Sequence, residues 1–273
     1  MILILTAIIV ISCCVLPRIP QPQSYHLFAD RRSFLGIPNF GDVLSNLPFA
    51  IVGIWGLLFL RQTRVNIQAG RFLEEREIWP YRLAFVGLLL TAFGSSYYHL
   101  APDNARLVWD RVPMTITFMS MVAAVIAERI HLRLGLCLLP ALLFVGLASV
   151  LQWYWSETKD AGDLRFYAAV QAYSALVILL ALLLPGRYTR RSDFAHVLGF
   201  YALAKALEFF DTTIFGALHV VSGHTLKHLA AATAGFCILR MLKKRKAATT
   251  FPSTDSERTS LQAVLCSNGA QQS

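Results

Sequence analysis

Two histidines four residues apart, His224 and His228, open the last apolar segment of this chain. Residues i and i+4 share one helix face, and neutral imidazole nitrogens are good zinc ligands. A third histidine, His99, closes a much earlier apolar segment; Ser95 stands one turn before it, and Asp110 begins the next segment. Histidine is costly inside a bilayer, so histidines gathered at one depth need a partner, and a metal ion suits three of them. Three imidazoles leave the fourth position of a zinc open to water, whose pKa the metal lowers toward about 7. Asp110 is placed to hold that water and accept its proton, and Ser95 to hydrogen-bond a developing oxyanion or orient the water. The remaining histidines, His26, His131, His196 and His219, stand singly near segment ends and read as interfacial hydrogen-bonding residues.

These residues must be positioned by helices. Of 273 residues, 56% are hydrophobic and 15% charged, a composition of an all-α polytopic membrane protein. Eight apolar segments follow one another at about Met1–Leu16, Val43–Leu60, Leu83–His99, Val112–Ala127, Leu134–Leu151, Phe166–Leu184, Phe194–Phe215 and His224–Leu242. The first has no basic residue ahead of its apolar core, so it reads as an uncleaved anchor helix over residues 1–20. Residues 30–246 form the membrane domain, and 247–273, rich in Ser, Thr, Gln and Ala, read as a disordered tail.

The net charge of +9 does not indicate nucleic acid, because the basic residues lie between apolar segments. The Arg61–Arg82 loop, the Ile130–Arg133 turn, the Arg187–Arg191 loop and Lys243–Lys246 fall on one side if segments alternate. That side is cytoplasmic by the positive-inside rule, and His99, Asp110 and His224 fall together on the other. The five cysteines show no C-x-x-C spacing and read as small apolar filler, which excludes a thiolate site. A second polar group, Lys205, Glu208 and Asp211, lies on the seventh segment; it reads either as an ion pair tying helices together or as support beside the zinc. Trp109, Trp153, Tyr154 and Trp155 flank segment ends, where aromatic belts are expected.

Ser95-x-x-x-His99, Asp110 and His224-x-x-x-His228 resemble the signature of the alkaline ceramidases, part of a seven-helix hydrolase superfamily that includes the adiponectin and progestin receptors. The stretch Asp42–Pro48 resembles the start of that family's first core helix. The resemblance spans roughly Asp30 to Lys246 and implies a seven-transmembrane-helix core with one additional N-terminal helix. It also implies a zinc-dependent amidase that cleaves ceramide-like lipids into a long-chain base and a fatty acid. His99, His224 and His228 would ligate zinc, with Asp110 as base and Ser95 as a zinc-site or oxyanion residue. Animal and yeast members carry an acid-rich calcium site before the first core helix. Here only Asp30, Asn39 and Asp42 stand as its remnant, and two carboxylates beside Arg31 and Arg32 make a poor calcium site. The divergence implies a bacterial inner-membrane protein with its zinc toward the periplasm. The residues leave open a hydrolase of another lipid amide or ester, and a lipid-sensing receptor with structural zinc. A transport pathway through Lys205, Glu208 and Asp211 ranks third, since neither an internal repeat nor an interrupted pair of segments is evident.

Overall fold

The computed structural model describes residues 2–248; the regular structure among these is helical, joined by loops, with only isolated bridge pairs besides. The helices are α1 (Ile2–Val15), α2 (Phe40–Leu44), α3 (Leu47–Arg61), α4 (Thr63–Gln68), α5 (Ile78–Leu100), α6 (Asn104–Arg129), α7 (Leu132–Glu157), α8 (Arg165–Leu183), α9 (Asp193–Phe209), α10 (Asp211–Leu218) and α11 (Gly223–Lys244). Five stretches are long and apolar enough to cross a membrane: Phe40–Arg61, Glu75–Leu100, Asn104–Arg129, Leu132–Glu157 and Arg165–Leu183. Their large exposed apolar side chains, among them Phe93, Phe144 and Leu183, suit a lipid surround.

Each apolar segment of the sequence is helical, but two are broken: the second at Ser45–Asn46, between α2 and α3, and the seventh. Phe210 interrupts it between α9 and α10, so the segment expected to be continuous bends beside the metal-ligand candidates. At the break, the first residue of α10 ties it to other parts of the fold: Asp211 accepts from the His224 amide at Oδ1, 2.7 Å, and from the Ala29 amide at Oδ2, 3.0 Å. The chain before residue 30 is tied to the bundle as well. The Thr6 hydroxyl lies 3.1 Å from the Tyr173 hydroxyl of α8, and the Leu164 amide donates to the Ile19 carbonyl at 2.8 Å.

Helices α5 and α6 approach closely beside the residues of interest. Pro113 carries no amide hydrogen, so the Trp109 carbonyl one turn earlier has no helical donor. Gly94 of α5 packs against that carbonyl: a Cβ there would stand 1.9 Å from the Trp109 oxygen. Only glycine permits this contact, which brings Ser95 alongside Asp110. Trp109 and Trp155 are exposed, as belt residues should be, but Trp153 is fully buried and packs in the core.

At the opposite end of α5, α6 and α11, the segment after α11 is held between two loops. Amides of Thr189, Ala247 and Ala248 donate to carbonyls of Lys246, Gly70 and Arg187 at 2.8–2.9 Å. The expected tail is therefore ordered at its first two residues; residues 249–273 lie outside the described part of the chain.

Candidate metal centre

His99 ends α5, while His224 and His228 occupy the first turns of α11. Each offers one ring nitrogen, and the three nitrogens lie within 4.8 Å of one another, all buried. Among the described residues, His99 Nδ1 and His224 Nε2 are buried with no hydrogen-bond partner. Orphaned buried nitrogens are rare in folded proteins, and two aimed into one cluster are accounted for by a shared cation. A zinc at ~2.1 Å from each nitrogen sets them ~3.4 Å apart, so only a small side-chain contraction separates the cluster from a bound geometry. The residues fit a metal ion.

His228 is held from outside the cluster. The Ser45 hydroxyl lies 3.1 Å from the Asp42 carbonyl and 2.8 Å from His228 Nδ1. With its single hydrogen on the Asp42 carbonyl it accepts from Nδ1, which leaves the Nε2 lone pair for the cluster. Outer partners of this kind orient a ligand and raise its basicity. Ser45→Ala is expected to weaken metal affinity by about 10–100-fold without unfolding the bundle, as read by titration against a chelating dye.

The start of α11 is built to hold His224 in place. Ser222 caps the helix by accepting from the Thr225 amide at 3.0 Å, and Asp211 takes the His224 amide. Gly223 packs against the Leu207 carbonyl, where a Cβ would stand at 2.2 Å, so α11 can begin directly against the end of α9. The Phe28 ring covers the cluster, with its centroid 4.6 Å from the His99 ring and 4.5 Å from the His224 ring. Ala29, held by Asp211, keeps that loop closed over the site.

Asp110 and Ser95 are buried together, with the Ser95 hydroxyl facing the Asp110 carboxylate. Both line a cavity of about 370 Å³ with His228, and the cavity continues past Met114, Met121 and Ile178 to Ile238. Its walls beyond the polar end are apolar. Lys205 and Glu208 pair as their spacing predicts. Glu208 also accepts from Lys227 at 2.7 Å and from the Tyr25 hydroxyl at 3.1 Å. Lys227, between the two histidines of α11, was not singled out in the sequence; a lysine inside an apolar segment was the available signal.

The remaining candidates lie apart from the cluster or in other roles. Asp30 is held by Arg32 through Nε at 2.8 Å and Nη2 at 2.7 Å, which keeps its carboxyl below the usual carboxylate range. Asn39 donates to the His99 carbonyl at 2.8 Å, and Asp42 accepts from Thr225 at 2.7 Å. Asn39 and Asp42 thus brace a candidate metal ligand and the start of α11. His26 bonds Tyr98 and Asn104, each at 2.9 Å, and His131 caps α7. His196 is an exposed neighbour of Asp193, and His219 ends α10 in a left-handed conformation. Compared with known proteins, the chain matches no protein-family model and no curated sequence.

Proposed function

We propose that this is a membrane-embedded, zinc-dependent hydrolase of a lipid amide, acting on ceramide-like substrates. The observation that carries this reading is that His228, Asp110 and Ser95 face one cavity whose far walls are apolar, with His99 and His224 completing the cluster. The likeness of those residues to the alkaline ceramidase signature adds support. Helices α3, α5, α6, α7, α8, the α9–α10 pair and α11 make up the seven-span core, with α1 as the additional helix. The basic C-terminal end lies in the cytoplasm and the metal centre toward the periplasmic face of a bacterial inner membrane.

Zinc bound by the three histidines would supply Lewis-acid activation of a water and of the amide carbonyl. The protein's own groups do the rest. The apolar walls hold the acyl chain so that its carbonyl carbon stands at the polar end. Asp110 takes a proton from the attacking water as its oxygen bonds to that carbon. Ser95 turns its one hydroxyl hydrogen toward the oxygen on which charge develops. As the carbon–nitrogen bond breaks, Asp110 returns the proton to the departing nitrogen, giving a carboxylic acid and an amine. Phe28 and the loop held by Asp211 exclude bulk water.

The test is turnover of a panel of ceramides, other lipid amides and lipid esters by detergent-purified protein, with zinc content measured on the same samples. Asp110→Asn is expected to lower turnover by at least about 100-fold while zinc is retained. Wild type that holds zinc but cleaves no lipid in the panel would replace this reading with a receptor-like one.

A further inference from the structure

Arg111 follows Asp110 on α6 and is 4% exposed. Its guanidinium lies 4.1 Å from the Trp153 ring centroid, 4.7 Å from that of Tyr167 and 5.6 Å from that of Tyr25. These aromatic rings cover its faces and leave its N–H edges for oxygen acceptors. One edge is used, as Nη2 donates to Gln21 Oε1 at 2.6 Å. Among the described residues, Nε and Nη1 are buried without an acceptor.

Arg111 lines the same cavity as Asp110, Ser95 and His228. Three cations face that cavity, Arg111, Lys205 and Lys227, against two carboxylates, Asp110 and Glu208. Both lysines pair with Glu208, and Asp110 faces Ser95. Arg111 forms no ion pair among the described residues. A buried cation with unmet donors is unfavourable unless a counter-charge arrives, and here the cavity is where one can arrive.

We propose that Arg111 is the counter-ion for an oxyanion on the head of the lipid, which narrows the lipid amide of the hydrolase reading from a neutral ceramide to an acidic one of the long-chain N-acyl amino acid class. The word substrate rests on the hydrolase reading; the anion site does not. Asp110 works at the scissile amide, and Arg111 lines the same cavity close enough for its charge to act on that carboxylate, so an anion a few bonds from the amide can reach it. An N-acyl α-amino acid places its carboxylate one carbon from the amide nitrogen. A monoanion also suits one guanidinium beside Asp110 better than a dianionic phosphate, which the aspartate would repel.

The experiment compares N-oleoylglycine with N-oleoylglycinamide, which differ in charge and not in chain. Binding to the full chain in detergent is measured alongside kcat/KM, for wild type, Arg111→Gln and Arg111→Lys, with zinc content as the check on folding. Wild type is expected to bind the acid at least 10-fold tighter than the amide. Arg111→Gln should erase that preference, and Arg111→Lys should keep part of it. Equal affinities in wild type, or a preference that survives Arg111→Gln, would overturn the proposal; the wild-type comparison decides alone if the glutamine variant does not fold. A sphingolipid phosphate bound more tightly than N-oleoylglycine would overturn the carboxylate class. A charge preference in binding without turnover of either amide would sink the hydrolase reading and leave the anion site standing. Turnover without charge preference would do the reverse.

Discussion

Replacing His228 with alanine is expected to strip the metal from the purified protein, from about one ion per chain to a trace. The three nitrogens lie within 4.8 Å of one another, and His99 Nδ1 and His224 Nε2 have no other partner to fall back on. Four-ligand zinc sites bind with apparent free energies of about 10–16 kcal/mol, so one protein ligand corresponds to roughly 3 kcal/mol, a loss of over a hundred-fold. The variant also leaves the Ser45 hydroxyl without the imidazole at 2.8 Å that it holds in the wild type. Elemental analysis of detergent-purified protein reads the result, and exposed His196→Ala, with no place in the cluster, should keep its metal. A His228→Ala protein that retains stoichiometric metal would reject the three-histidine centre.

The second large effect is expected at the other end of the bundle. Arg245 is 1% exposed, pairs with Glu128 and donates from Nε to the Arg71 carbonyl at 2.7 Å. Its guanidinium lies 4.0 Å from the Tyr188 ring centroid and 4.3 Å from that of Phe72. The Tyr81 hydroxyl also donates to Glu128 at 2.7 Å, and Glu77 pairs with Arg187 at 2.8 Å nearby. Arg245→Ala leaves Glu128 buried without its cation, which costs about 3–5 kcal/mol. For a bundle of this size the thermal midpoint should fall by about 10 °C, measured by unfolding in detergent. Metal content should not change, because Arg245 lies 17 residues beyond His228 along and just past α11, roughly 25 Å away. The double variant Arg245→Met with Glu128→Gln should lose less than Arg245→Ala, since no unpaired charge remains.

The buried Arg245 cluster and the three-histidine cluster illustrate how legible this chain is. Lys243–Lys246 read as a basic helix end at a membrane surface, and α11 does end there. Yet Arg245 turns inward. Residue type gives no sign of this, because Glu128 and Tyr81, the groups that receive it, are 117 and 164 positions away. Arg111 is similar: its aromatic walls and Gln21 come from distant parts of the chain, and Trp153 reads from sequence as a belt residue. The break at Phe210 was also hidden, since a continuous apolar run carries no mark of the bonds that Asp211 makes to Ala29 and His224.

What the sequence by itself determined is what repeats along one helix or accumulates along the chain. Apolar segment length makes the helices, the i, i+4 spacing puts His224 and His228 on one face, and alternation of segments brings His99 and Asp110 to the same end. The tertiary structure alone decided which side chains meet across helices. Gly94 against the Trp109 carbonyl sets Ser95 beside Asp110, Ser45 holds the His228 ring through Nδ1, and Phe28 closes over the cluster. The physical reason is range. Helix periodicity and hydropathy are properties of neighbours in sequence, whereas a hydrogen bond such as Ser45 to His228 spans 183 positions and exists only once the bundle has packed.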